Sequence, residues 1–156
     1  MFKQISGDTD ETISWQTVEE YFKSKNLQFE TTEDENILIV PVSGENGNWK
    51  ILVHVDEVKG ILEIYSDCPV RIKESQKLKL AELIVRINNL LLLGYFSMNL
   101  EECDIVFKTV HLFDNSVLNN KNLDILFRTN TQTLDEYLPA ITAVNSGYSE
   151  PCLAIQ

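Results

Sequence analysis

Two histidines are the side chains in this sequence best suited to bind a metal. His54 and His111 both lie in segments that alternate like β-strands, and an aspartate follows each of them, Asp56 and Asp114. A zinc site needs three or four ligands, and two separated histidines without an HExxH pattern or a close cysteine do not supply them. We therefore interpret both histidines as ordinary strand residues and expect no metal site.

The three cysteines are the next candidates for chemistry. Cys68, Cys103 and Cys152 are odd in number and show no CxxC spacing, so they do not form a complete disulfide framework. A nucleophilic cysteine needs a neighbouring base to form the thiolate, and Cys103 could meet a histidine only through the tertiary fold. We expect inert thiols in a reducing compartment.

Glycine and carboxylate clusters are candidates for phosphate binding and acid–base catalysis. A Walker loop has Lys followed by Ser or Thr after its last glycine, whereas Asn48 and Trp49 follow Gly47 here, so Gly44–Asn48 is interpreted as a hairpin turn. Paired carboxylates fall in predicted turns or on polar faces, where solvent exposure is the ordinary explanation. We expect no catalytic residue and no cofactor, and predict that the protein is not an enzyme.

A basic cluster surrounds the start of the longest predicted helix. Its members are Arg71, Lys73, Lys77 and Lys79. The helix dipole disfavours positive charge at this end, so something acidic should face the cluster. Three explanations stay open: a match within or between subunits to Asp8–Glu11 or Glu33–Glu35, a solvated face, or an anionic ligand or partner.

The formal net charge of −11 limits the possible functions. An acidic surface repels phosphate backbones, so we expect no binding to nucleic acid. The longest apolar run, Leu90–Leu93, is much shorter than the roughly 18 residues of a membrane span, and residues 1–11 do not resemble a targeting signal. We expect a cytoplasmic protein that does not bind membranes.

Hydrophobic periodicity predicts the elements that carry these residues. A short helix with Trp15, Val18, Tyr21 and Phe22 on one face comes first, and two long helices and six strands follow. The strands are bounded by turn residues and by Pro69. The predicted order is α-β-β-β-β-α-β-β-α, with these limits: helix 14–26, strands 27–32, 36–42, 49–56 and 60–68, helix 74–93, strands 95–100 and 104–113, helix 119–145.

The helix predicted over 74–93 carries two apolar stripes. The first, Leu80, Leu83, Ile84, Ile87 and Leu91, has the spacing of a helix face that packs on a sheet. The second, Leu78, Val85 and Leu92, repeats every seven residues. Because one sheet covers only the first stripe, the second should meet another helix or another subunit. Gly94 is predicted to end this helix.

Short sequence motifs add a resemblance to these predictions. The helix ending Ile87-Asn88-Asn89, the segment Leu93-Gly94-Tyr95-Phe96 and the closing-helix motif Leu134-Asp135-Glu136-Tyr137-Leu138-Pro139-Ala140-Ile141 resemble the YbjN family. That family has been labelled a candidate regulator of sensory transduction, and its fold is similar to that of type III secretion chaperones. The resemblance implies a single α+β domain whose antiparallel sheet is packed by helices, and it supplies no catalytic residue.

We predict an acidic N-terminal extension over residues 1–12, a YbjN-like domain over 13–147 and a C-terminal tail over 148–156. The resemblance and the second stripe together favour a protein-binding, chaperone-like module that uses a sheet edge or an exposed apolar helix face. The first alternative is a homodimeric regulator without a client, whose stripe is buried by self-association, and the last is an enzyme with an unrecognised site. Either way the predicted partner or dimer interface comprises Leu78, Val85, Leu92, Arg71, Lys73 and Lys77.

Overall fold

In the part of the chain that the structure describes, six antiparallel strands form one sheet, and three helices pack on it. The computed structural model describes residues 15–32, 36–113 and 120–155. The elements are α1 (Trp15–Ser24), β1 (Glu30–Thr32), β2 (Ile37–Ser43), β3 (Asn48–Asp56), β4 (Ile61–Asp67), a 3₁₀ turn (Glu74–Gln76), α2 (Lys77–Asn88), β5 (Tyr95–Asn99), β6 (Asp104–Leu112) and α3 (Asn120–Asn145). The predicted element order and the α+β class are confirmed.

The strands lie in the order β1-β2-β3-β4-β6-β5, and every neighbouring pair is antiparallel. Strand β6 is therefore central although it follows β5 in the chain. One row across the sheet pairs Leu38, Val53, Ile64 and Thr109, all of which are buried under the helices. Successive strand residues point to opposite faces, so their neighbours in sequence lie on the other face.

The longest helix, α3, crosses the middle of the sheet. Its inner face buries Leu123, Leu134, Leu138 and Ile141, as the sequence predicts. It also buries Asn130, which no hydrophobic pattern identifies. The Asn130 amide donates to the Ile64 carbonyl at 2.9 Å, and its oxygen accepts from the Ser66 hydroxyl at 2.6 Å. Since buried polar groups are costly when unpaired, these bonds fix the position of α3 over β4.

The β2–β3 turn is a hairpin, as predicted, and Asp135 of α3 holds it. The Gly44 amide donates to the Gly47 carbonyl at 2.8 Å. The Asp135 carboxylate accepts from the amides of Glu45 and Asn46, each at 2.8 Å. The acidic residue of the closing-helix motif therefore has a structural role, and the glycines serve the turn.

Several predicted boundaries differ from those of the structure, and two of the larger differences have a clear physical reason. The first strand begins at Glu30 instead of residue 27, because its register places Gln28 opposite Pro41, which has no amide hydrogen to pair with. The long helix ends at Asn88 instead of Leu93, six residues before Gly94. The Asn88 side chain there bonds the backbone of Phe96, so the chain turns towards β5. The predicted start of the first helix, at residue 14, lies outside the described residues.

Candidate partner-binding surface

The second stripe of α2 is exposed to solvent. Leu78 is 87% exposed and Val85 is 61% exposed, while Leu80, Leu83, Ile84 and Ile87 on the inner face are buried. Two helical turns separate Leu78 from Val85, a rise of about 10 Å. The sequence therefore separates the two faces of α2 correctly, and among the described residues nothing covers the outer face.

Leu92 is the third residue of the predicted stripe but does not belong to the helix. The residue is 98% exposed and lies in the link between α2 and β5. Its predicted position one helical heptad after Val85 is therefore wrong, although its exposure is consistent with an interface. We call Leu78, Val85 and Leu92 the outer stripe.

Other exposed apolar side chains lie close to this stripe in sequence or belong to the segment after α3, which contacts α2. Leu90 and Leu93 flank Leu92, and both are exposed. Tyr148 and Leu153 are exposed in the segment after α3, where Glu150 pairs with Lys79 of α2 at 2.6 Å. Sequence reasoning missed these four residues. The run of leucines at 90–93 was a usable signal for two of them.

The basic cluster at the start of α2 is largely paired with acidic residues of the same chain. The Lys77 ammonium lies 2.6 Å from a Glu74 carboxylate oxygen, and Lys79 is held by Glu150. The pKa of Lys77 is raised, chiefly because the Glu74 carboxylate accepts a hydrogen bond from it. The acidic partners in the described structure are therefore Glu74 and Glu150. The predicted partners Asp8–Glu11 and Glu33–Glu35 lie outside the described residues.

Arg71 and Lys73 precede α2 and are tied to the end of α3 through their backbones. The Lys73 amide donates to the Asn145 side-chain oxygen at 2.9 Å, and the Asn145 amide donates to the Arg71 carbonyl at 2.9 Å. Both basic side chains are exposed, and the Arg71 guanidinium donates to the Glu102 carbonyl at 3.3 Å. Of the six predicted interface residues, Lys77, Leu78 and Val85 share α2, and Arg71, Lys73 and Leu92 flank it.

The two outer edges of the sheet offer little for an added strand. At β5, the Phe96 amide and carbonyl both bond the Asn88 side chain, at 2.8 and 3.0 Å. At the other edge β1 pairs only with residues 37–39, and the uncovered end of β2 contains Pro41, which has no N–H. Of the two predicted modes of binding, these edges favour the exposed helix face.

The histidines lie on opposite faces of the sheet. His54 shares its face with Glu63, its direct partner on β4. His111 follows Val110 on β6, so its side chain lies on the face that carries the buried Leu62. The two residues are therefore not placed to bind one metal ion, in agreement with their interpretation as strand residues.

Glu63 is the centre of a polar cluster on the face away from the helices. Its carboxylate lies 2.7 Å from the Lys108 ammonium and 3.2 Å from His54 Nδ1. Burial acts to raise the pKa of Glu63, but hydrogen bonds with Lys108, His54 and Tyr65 outweigh it and lower that pKa to about 2. The carboxylate thus stays charged at neutral pH and neutralises Lys108.

The cysteines are free thiols in three different surroundings. Cys68 is buried, and burial raises its pKa to about 11. Cys103 is partly buried in the β5–β6 turn with a φ of 59°, and Cys152 is exposed. Since the thiolate is the reactive form, Cys68 is not suited to nucleophilic chemistry.

Comparison with known protein families identifies the family of this chain. Residues 14–143 match the YbjN family, which is described as "Putative bacterial sensory transduction regulator". The chain belongs to the YbjN family. Sequence comparison with curated proteins finds no match.

Two solved structures share the YbjN-family fold with this chain. One is a crystal structure of YbjN from E. coli, described as "a putative transcription regulator"; it matches with a TM-score of 0.63 and 11% identity over 85% of this chain and 92% of that chain. The other is the ExsC–ExsE complex, with a TM-score of 0.56 and 9% identity over 80% and 90% of the two chains. At these identities the likeness concerns the fold alone.

The family description and these two structures name regulators or a complex, and none of them names an enzyme. The outer stripe is an exposed apolar surface on a member of the YbjN family. We therefore base the proposed function on this surface. No helix among the described residues combines the length and the hydrophobicity needed to cross a membrane.

Proposed function

We propose that this chain is a non-enzymatic protein-binding module, chaperone-like or regulatory, that holds a partner protein on the outer stripe. The observation that carries the proposal is the exposure of Leu78, Val85 and Leu92 beside a well-formed core. An apolar residue left in water forfeits the transfer free energy of burial, about 1.5 to 3 kcal/mol for a leucine or valine side chain. Three such residues on one helix and in the link that follows it are typical of a surface that is covered in the working state.

The chemistry of the stripe suits an amphipathic partner segment. Leu78 and Val85 are two turns apart on α2, so a partner helix could place apolar side chains between them. Lys77 and Lys79 are largely neutralised by Glu74 and Glu150, which leaves the apolar residues as the main source of affinity. The acidic net charge keeps the unliganded chain soluble and disfavours nucleic acid as the partner.

Comparison gives further support. The fold relative ExsC was solved as a complex with ExsE, so a protein of this fold binds another protein. We extend protein binding, and no more, to this chain. We also place the protein in the cytoplasm, which suits its free thiols.

Self-association through the outer stripe is the second candidate function. A repeat of seven residues suits antiparallel packing of two copies of α2, and such a homodimer would act as a regulator through its acidic surface. This alternative predicts that substitutions in the stripe lower the molecular mass of the purified protein in solution from that of a dimer to that of a monomer. They should not change its binding to another protein.

The test is native capture of tagged protein followed by mass spectrometry, comparing wild type with Val85→Asp, Leu92→Asp and Val58→Asp. Val58 is as exposed as Leu92 but lies in the β3–β4 turn, so it is a matched control. We expect one stoichiometric partner that both stripe variants lose and the control retains. Equal capture by all four proteins would refute the proposal, and recovery of the chain alone would favour the homodimer.

A further inference from the structure

The face of the sheet turned away from the described helices is apolar at its centre. The helices pack on the face that carries Leu38, Val53 and Ile64, so the alternate strand residues form a second surface, which we call the open sheet face. In antiparallel sheets a face that meets water is normally polar. The apolar side chains at the centre of this one are Ile37, Ile39, Leu52, Tyr65, Val106 and Val110.

A shallow pocket lies in this apolar centre. Ile37, Leu52, His54 and Tyr65 line it, and its volume is about 370 Å³. The imidazole of His54 is paired within the chain, since its Nδ1 lies 3.2 Å from the Glu63 carboxylate. The other lining residues present mainly carbon atoms. The pocket therefore suits one aliphatic or aromatic side chain of a partner.

The charged strand residues of the open sheet face are mostly acidic. They are Glu30, Lys50, Asp56, Glu63, Asp67, Asp104 and Lys108. Five carboxylates and two lysines give this face a formal charge of −3, within the −11 of the whole chain. An anionic partner, such as a nucleic acid or an acidic protein surface, would be repelled here, and a cationic partner would be attracted.

Two of the five carboxylates are already paired with lysines of the same chain. The Glu63 carboxylate lies 2.7 Å from the Lys108 ammonium, and the Asp56 carboxylate lies 3.1 Å from that of Lys59 in the β3–β4 turn. The acidic charge that can attract a partner therefore belongs chiefly to the other three carboxylates. One of these is Glu30 on the edge strand β1, and the other two lie together at the opposite side of the sheet.

Asp67 and Asp104 form a like-charge pair where β4 ends and β6 begins. Burial raises the pKa of Asp67, the charge of Asp104 raises it further, and the charge of Arg71 acts in the opposite direction. Lys50 lies opposite Asp67 in register. Two carboxylates that repel one another are stabilised when a further cation comes close to both. A lysine or arginine of a partner would therefore be favourable at this end of the face.

We propose that the open sheet face binds a basic amphipathic helix of another protein. One apolar side chain of that helix occupies the pocket, and a lysine or arginine lies over Asp67 and Asp104. Asp67 follows Tyr65 by two residues on β4, a distance of about 7 Å, so the basic residue belongs one to two helical turns from the apolar anchor. Helices pack on sheet faces through an apolar stripe, as the helices on the other face do. The inference concerns a different surface from the outer stripe.

Fluorescence anisotropy with labelled model peptides tests this inference. The first peptide is an amphipathic helix of about 18 residues, roughly 27 Å long, with a stripe of leucines and lysines elsewhere. The second has glutamates in place of the lysines. We expect the full chain to bind the lysine peptide with a dissociation constant in the micromolar range and the glutamate peptide at least about 10-fold more weakly.

Two substitutions separate the apolar and the charged contributions to this binding. Leu52→Gln makes one wall of the pocket polar, and Asp104→Lys reverses one charge, so each should weaken binding of the lysine peptide at least about 10-fold. The matched controls, which should bind like wild type, are Leu92→Gln on the outer stripe and Glu136→Lys at an exposed position of α3. Far-UV circular dichroism establishes folding, and Val110→Gln, at a more exposed position, replaces Leu52→Gln if that variant unfolds.

Four results would overturn the inference. They are the absence of binding up to about 200 µM chain, equal binding of the two peptides, equal binding of the lysine peptide by wild type and both open-face variants, and loss of binding in Leu92→Gln alone. The last result would assign the peptide to the outer stripe, so it would leave the proposed function intact. Equal weakening by Asp104→Lys and Glu136→Lys would show attraction to the acidic chain as a whole, and would also contradict a site on this face.

Discussion

Leu78 and Val85 lie seven residues apart on α2 and both leave their side chains in solvent, while Leu80 and Ile87 on the same helix are buried. A helix this short could have been covered with polar residues on its outer face. Apolar residues there weaken solubility and add nothing to the core of the chain. The relationship supports the proposal that α2 has two apolar contacts, one with its own sheet and one with a partner.

Asn130→Leu should lower the free energy of unfolding by about 2 to 4 kcal/mol. The substitution leaves the Ile64 carbonyl and the Ser66 hydroxyl without the partner that they share in the core. Urea unfolding monitored by circular dichroism measures the change. Gln132→Leu, on the exposed side of the same helix, is the control and should shift stability by less than about 0.5 kcal/mol. Equal effects of the two substitutions would contradict a special role for Asn130.

The Glu63 cluster predicts a stability difference that depends on pH. The folded-state pKa of about 2 lies below the ordinary value of 4.5, so the charged carboxylate stabilises the fold at neutral pH. We expect Glu63→Gln to be less stable than wild type by about 1 to 2 kcal/mol above pH 5. The difference should shrink as the pH falls from 4.5 towards 2, because protonation removes the charge from the wild-type side chain too.

Chemical unfolding at a series of pH values measures this difference. Glu82→Gln is the control, since Glu82 forms an ion pair with Arg86 in which both side chains are about half exposed. Its effect should be small throughout, as it is for most surface ion pairs. A Glu63→Gln difference that stays constant down to pH 2 would show that the loss arises from packing instead of charge.

Asp135→Ala should loosen the β2–β3 hairpin. The two amides that donate to this carboxylate, those of Glu45 and Asn46, lose their acceptor. Since these bonds are exposed, we expect a loss of about 1 kcal/mol in stability and faster hydrogen exchange at both amides. Glu136→Ala changes the next residue, which is exposed, and should leave the exchange of both amides unchanged. Unchanged exchange in the Asp135 variant would contradict this role.

Hydrophobic spacing predicted the order of elements and the inner faces of α2 and α3, because burial repeats at the helical period in both helices. The spacing also separated Leu78 and Val85 from the core. The spacing could not show which face of β2 the helices cover, since the run Ile37–Val40 is apolar on both sides of the strand.

The residues that escaped prediction act through tertiary contacts. Asn130 lies inside a helix where its amide bonds strands that are more than 20 residues away in sequence. Asn88 ends α2 because its side chain bonds the backbone of Phe96. The leucine run at 90–93 continues the apolar pattern past this point, so the sequence does not show where the helix ends. Hydrophobic patterns indicate which residues are buried, but they do not indicate which polar groups form hydrogen bonds with one another.

The central claim is that the outer stripe holds a partner protein, and the most direct measurement is the dissociation constant of the captured partner for purified wild type, Leu92→Asp and Val58→Asp. Loss of a buried apolar contact at the centre of an interface typically costs 2 kcal/mol or more, so we expect Leu92→Asp to bind at least about 30-fold more weakly. Val58→Asp should bind like wild type. Equal dissociation constants for all three proteins would contradict the account.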